Sequence, residues 1–131
     1  VDGFDGALEQ EGVDVSMFEG FYYLTPFAYT ATDDATVSFV SKFNALAGNN
    51  PNQFAADAYD VVYAIYNALV EAGATTDMSA QDMGELLCKT FQGGFTYSGL
   101  TGSNMTWNEN GAVVKAPLAF QVKDGKLTAA E

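Results

Sequence analysis

The side chains of this protein that could do chemistry are almost all carboxylates. Its 131 residues hold seventeen Asp plus Glu against five Lys plus Arg, a formal charge of −12, with one Cys and no His. Without imidazole there is no Ser-His or Cys-His nucleophile, no His general base and no His-ligated metal. Cys88 has no second thiol for an intrachain disulfide or a CxxC site, and it reads as a packed structural thiol beside the stripe of a helix. Three acidic pairs remain. Asp2 and Asp5 invite a calcium or acid-base reading, but an EF-hand loop needs an oxygen ligand where Phe4 stands. Asp33 and Asp34 precede a helical stretch, so they read as its N-terminal cap and dipole complement. Asp57 and Asp60 share a helix face, where they mark a solvated edge or a buried hydrogen bond. A paired-carboxylate glycosidase has no further support. The expectation is a chain without metal, cofactor or enzymatic activity, an enzyme resting on nothing more than Asp2 and Asp5.

Two other motifs fail on their own terms. The glycines of GGFTYSGLTG, residues 93–102, lack the Gly-Lys of a phosphate loop and the strand-then-helix setting of a dinucleotide fingerprint. Asn104-Met105-Thr106 fits the glycosylation sequon, a pattern that chance also produces.

The elements that would position these residues follow from periodicity. Ala7 to Phe18 is a weak helical segment broken by Gly12, and Phe21 to Thr25 reads as a short strand stopped by Pro26. Val37, Val40, Phe43, Leu46 and Ala47 recur at helical spacing, and Gly48-Asn49-Asn50-Pro51 ends that helix. From Gln53 to Ala72 the apolar stripe of Phe54, Ala58, Val61, Val62, Ile65, Leu69 and Val70 is so wide that the helix is expected to be buried on most sides. Ser79 and Asp82 form a capping-box variant opening a third helix, with Met83, Leu86, Leu87, Thr90 and Phe91 facing its core. After Gly93-Gly94 the period drops to two, giving short strands at Phe95–Tyr97, Met105–Trp107, Ala112–Lys115 and Leu118–Val122. Asp124-Gly125 is a two-residue hairpin signal. The fold class is α/β.

Composition narrows the partners. A surface this acidic repels phosphate, so nucleic acid is excluded and anionic membrane disfavoured. No stretch approaches the roughly 20 apolar residues that span a bilayer. Ten Phe, seven Tyr and one Trp exceed what a core of this size usually needs, so some are expected to line a ligand cleft while most pack as surplus core, and binding is favoured over catalysis. No basic leader stands at Val1-Asp2-Gly3, so an export signal would lie outside this sequence.

Four stretches then stand in one order and spacing: VDGFDGAL at 1–8, EGFYYLTPF at 19–27, NPNQFAADAYDVVYAIYNAL at 50–69 and TGSNMTWNENGAVVKAPLAFQVKDGKL at 101–127. Together they resemble the type I periplasmic solute-binding proteins of ABC importers, in particular the Leu/Ile/Val-binding group. The resemblance covers essentially the whole chain and implies a two-lobed fold of Rossmann-like lobes, incomplete here because only its C-terminal third is present. It implies second-lobe segments at 1–25 and 117–131, first-lobe helices and strands at 26–116, and hinges near Thr25-Pro26 and Ala116-Pro117.

Function follows from the same resemblance. The parent would capture a small amino-acid-like ligand, branched-chain or other, by lobe closure and hand it to an ABC permease. It would act in the periplasm or outside the cell, with a lipid anchor compatible. The alternative is the ligand-sensing ectodomain of a signalling receptor. Asp2 takes the position whose carboxylate accepts the ligand ammonium, and Phe54 that of an aromatic touching the ligand side chain. Phe4, Asp5, Phe27 and Tyr29 fall near the cleft. The helices around Val40, Ile65 and Leu87 would lack their natural sheet, so the chain alone is expected to self-associate or exchange strands.

Overall fold

A computed structural model describes residues 4–8 and 10–130. The elements run α1 (Phe4–Leu8), a 3-10 turn (Val15–Phe18), β1 (Tyr22–Thr25), α2 (Asp34–Ala47), α3 (Gln53–Glu71), α4 (Ala80–Gln92), β2 (Thr106–Trp107), β3 (Val113–Val114), β4 (Leu118–Lys123) and β5 (Lys126–Ala129). They fall into two compact units, residues 1–56 with 117–131, and residues 57–116.

The first unit is built on an antiparallel sheet in the order β1-β4-β5. Its register sets Tyr23 opposite Phe120 and Leu24 opposite Ala119. Because strand side chains alternate, Tyr23 and Phe120 then share one face and pack with Ala28 and Phe4 into a small core. The Phe4 ring contributes edge contacts to Phe18 at 5.5 Å and Tyr23 at 5.3 Å, each such pair adding about 0.5–1.5 kcal/mol beyond burial. The opposite face is bare, with Tyr22 and Leu24 more than 60% exposed. β4 and β5 are joined at Asp124-Gly125, whose φ values of 52° and 67° are those of the tight hairpin turn expected from the sequence. The Glu19 carboxylate accepts both backbone N–H groups of that turn, at 3.0 and 3.1 Å.

α2 begins at Asp33, whose side chain accepts the Thr36 N–H at 3.0 Å, and ends at Gly48 in the left-handed conformation, φ 76°. The cap holds the Asp33 carboxyl below its ordinary pKa, mainly through the Thr36 backbone N–H. Its buried residues are Thr36 and Phe39, with Phe39 edge-on to Phe27 at 5.8 Å. Here the expected stripe is corrected. Val40 and Phe43 are half-buried as the spacing predicts, but Val37 and Leu46 lie outward and Leu46 is 91% exposed.

α3 departs further from expectation. Its buried line is Ala56, Asp60, Ala64 and Ala68, one residue per turn, while Phe54, Val61, Val62, Ile65, Tyr66 and Val70 are exposed. The helix is therefore not buried on most sides. Small residues allow close approach along one narrow line, and no sheet among the described residues covers the large ones. α4 agrees better: Met83, Leu86, Leu87, Thr90 and Phe91 are its half-buried face. The Ser79 hydroxyl accepts the Asp82 N–H at 3.1 Å and donates to the Asp82 carboxylate at 2.7 Å. The shorter Asp thus bonds the cap side chain, whereas Glu in a capping box reaches the backbone. Cys88 is exposed, which corrects its reading as a packed thiol.

Between α4 and β4 the strands are shorter than their sequence suggests, whereas β4 spans the expected Leu118–Val122 and one residue more. β2 and β3 pair over two residues each, and Phe95–Tyr97 yields one bridge, Tyr97 to Met105. Between β2 and β3 the Asn108 side chain accepts the N–H groups of Asn110 and Ala112, both at 3.0 Å, and forms the turn itself. At the N-terminal end, the weak helical segment resolves into α1 and the 3-10 turn, separated by Gly12 at φ 89°.

Candidate functional site

The residues singled out by sequence divide by place. Asp2 lies outside the described residues. Asp5 belongs to α1, and its side chain is also outside them. Phe4 joins the aromatic core of the first unit, and Phe27, 1% exposed, is committed to packing against Phe39. Tyr29 is half-buried in the loop after Phe27. Phe54, in the first turn of α3, is 52% exposed and keeps most of its ring available for a contact. One turn of chain before it, the Thr25 hydroxyl donates to the Gln53 amide oxygen at 2.9 Å, fastening the end of β1 to the start of α3. The strand end near Pro26 and the helix that carries Phe54 are thereby held together.

In the second unit the carboxylates of α3 are structural anchors. Asp60, 4% exposed, accepts the Leu100 N–H at 2.9 Å and the Thr101 N–H and hydroxyl, each at 2.8 Å. This is the buried hydrogen bond that sequence reading held open for the pair, and it explains Gly99. A Cβ on Gly99 would overlap the Asp60 carboxylate. Asp57 pairs with Lys115 at 2.7 Å. The Tyr97 phenol is pushed above its ordinary pKa by burial first, then by the Asp60 charge and the nearby Tyr59 and Tyr63. Tyr59 is raised as well, chiefly by its bond with Tyr63. A raised phenol stays neutral at physiological pH, so these groups offer aromatic faces and hydroxyls, not bases.

An apolar cleft of about 280 Å³ opens in this unit between α4 and the β2–β3 turn, lined by Leu87, Cys88, Phe91, Trp107 and Asn108. Trp107 packs on Phe91 at 4.6 Å and stacks on Phe95 at 5.8 Å. Sequence reading had Trp107 in a strand and Phe91 in a helix stripe, but nothing in their spacing announced that they meet. Among the described residues no three Cys, Asp or Glu side chains gather to hold a metal ion, and no helix is long and apolar enough to cross a membrane.

Comparison with known proteins gives these features a setting. Among solved structures, a Rhodospirillum rubrum protein provisionally assigned to a branched-chain amino acid ABC transporter is 27% identical, with a TM-score of 0.66, over 86% of this chain and 31% of its own. An ABC transporter substrate-binding protein from Desulfitobacterium hafniense in complex with Leu is 21% identical, TM-score 0.66, over 89% of this chain and 33% of its own. A solute-binding protein from R. palustris in complex with benzoate is 17% identical, TM-score 0.65, over 98% and 33%. The last two likenesses are of fold. The chain spans about a third of the length of these structures. A search of curated proteins found no match. The profile of the periplasmic binding proteins, in contrast, matches residues 4–126 and so runs through both units. A profile with that reach, and an α/β architecture that superposes on part of type I structures, place the chain: it belongs to the periplasmic binding protein family.

Proposed function

We propose that this chain is the C-terminal part of a two-lobed binding protein that captures a small amino-acid-like solute outside the cytoplasmic membrane and delivers it to an ABC permease. The observation that carries the reading is the family match across residues 4–126. The exposed stripe of α3 supports it. Phe54, Val62, Tyr66 and Val70 present 52–65% of their surface to solvent in this chain, an arrangement that makes physical sense when further sheet covers them. In this reading residues 1–25 and 117–131 belong to the second lobe and 26–116 to the first. The chain leaves its second unit between Ala116 and Pro117, a hinge position implied by resemblance, but enters it at Asp57, within α3 and not at Thr25-Pro26.

Asp2 then supplies a carboxylate for the ligand ammonium, a charge-assisted bond worth about 1.5–3 kcal/mol, and Phe54 supplies an apolar face for the ligand side chain. Closure follows from tighter binding to the closed form than to the open one. Because one relative of this fold holds leucine and another benzoate, the fold alone does not choose the solute. The test is calorimetry on the complete protein with an amino-acid panel and benzoate. Binding of an amino acid, weakened at least tenfold by Asp2→Asn, is expected; a panel without any binder, or an Asp2→Asn variant with full affinity, would sink the respective part of the reading.

A further inference from the structure

The second unit begins at Asp57 and ends at Ala116, and its two ends are joined by side chains. The Lys115 ammonium, next to the exit, donates to the Asp57 carboxylate at the entrance at 2.7 Å. It also donates to the Thr101 hydroxyl at 2.9 Å, and that hydroxyl donates to Asp60 at 2.8 Å. Four residues from three chain segments thus form one connected relay, and its single cation is Lys115. The Lys115 side chain is 19% exposed and that of Asp57 38%, so water screens this pair less than it would a pair on an open surface. The lysine stem runs across Gly102, where a Cβ would stand 3.1 Å from Lys115 Cβ and 2.9 Å from Met105 Cγ. A side chain there would crowd the base of the lysine stem and the Met105 side chain.

We propose that Lys115 is the pin of a clasp that makes the two chain crossings of this unit a single rigid base. Without the pin, the exit strand could peel away while α3 stayed folded, since β3 is only two residues long and ends at Val114. With it, backbone motion is passed to the residues outside the clasp, the loop that leads into α3 before Gln53 and the Ala116-Pro117 step. Lys115 acts as a positioning residue: it touches no solute and fixes where bending occurs. Its bearing on solute capture rests on the two-lobed reading above, but the clasp itself does not.

Amide hydrogen exchange on the 131-residue chain tests the clasp directly. Lys115→Met and Asp57→Asn should each speed exchange about tenfold at residues 100–101 and 113–116, leaving α4 amides unchanged. Lys115→Arg, which keeps the charge and the reach, should retain the protection. No change in Lys115→Met, acceleration spread equally over α4, or a Lys115→Arg variant as fast as Lys115→Met would each overturn the proposal. Calorimetry of the complete wild-type protein with the amino-acid panel and benzoate tests the two-lobed reading separately, and the absence of any binder would leave the exchange result standing.

Discussion

Replacing Asp60 by Ala is the most informative single perturbation of this chain. Its carboxylate is 4% exposed and receives two backbone N–H groups and one hydroxyl at 2.8–2.9 Å. Hydrogen bonds to a charged acceptor contribute about 1.5–3 kcal/mol each, but three bonds to one group are not additive. Alanine would leave the Leu100 and Thr101 N–H groups and the Thr101 hydroxyl without their acceptor, while Lys115 would keep its bonds to Asp57 and Thr101. A buried donor left without its partner costs about 1–3 kcal/mol, and here there are three. Against a typical total of about 5–15 kcal/mol, that is a large share. Urea unfolding followed by Trp107 fluorescence reads it as a lower midpoint at unchanged slope. Asp60→Asn should fall between wild type and Ala, because an amide accepts through one oxygen only while its NH2 faces a donor. An Asp60→Ala chain within about 1 kcal/mol of wild type would refute the argument, since it would mean that water or loop rearrangement satisfies those donors as well.

Two further outcomes follow from other parts of the structure. Asp33 has a lowered pKa in the folded chain, so its capping contribution is complete above the ordinary carboxylate range and is lost as pH falls through the lowered value. Asp33→Asn keeps a cap that does not titrate; the variant should lose less thermal stability than wild type as pH falls from about 7 into the acid range, the gap reaching at most about 1 kcal/mol. Equal losses would remove the cap from the account. The exposed α3 stripe should make the chain self-associate in sedimentation runs, more strongly at high salt because a net charge of −12 repels copies at low salt. Val62→Lys with Val70→Lys should shift it toward monomer, and a wild-type chain monomeric at high salt and high concentration would contradict the expectation.

Local chemistry was legible in the sequence wherever a backbone requirement forces a residue type. Ser79 with Asp82, Asp33 before its helix, Gly48 after it and Asp124-Gly125 in a hairpin all announce their roles because capping and left-handed turns admit few alternatives. Burial was less legible. Periodicity identifies the apolar side of a helix, but it does not say whether anything lies against that side. On α3 the large residues Val61, Val62 and Tyr66 face solvent, as does Ala58 of the expected stripe, while Ala56, Ala64 and Ala68 are buried, the reverse of what hydrophobicity alone predicts. Phe39 escaped the expected α2 stripe because each residue turns the helix by about 100°, so Val37 and Phe39, two residues apart, lie on nearly opposite sides and cannot both point inward. Of the candidate site, the anchoring of the 98–102 loop by Asp60 was foreshadowed as a buried bond, while its partners forty residues away carry no mark of it. The roles of Asp2 and Phe54 came from family resemblance, which supplies positions that no local pattern encodes.

Cys88 and Trp107 line the same cleft, and each is the only residue of its kind in the chain. The protein thus carries a native donor–acceptor pair for spectroscopy. A thiol-reactive dye would attach at one position without any mutation, at a side chain already open to reagent. Energy transfer or quenching between the indole and that dye would register any slippage of α4 against the β2–β3 turn, turning a shallow surface depression into a built-in gauge of how tightly this unit holds itself together.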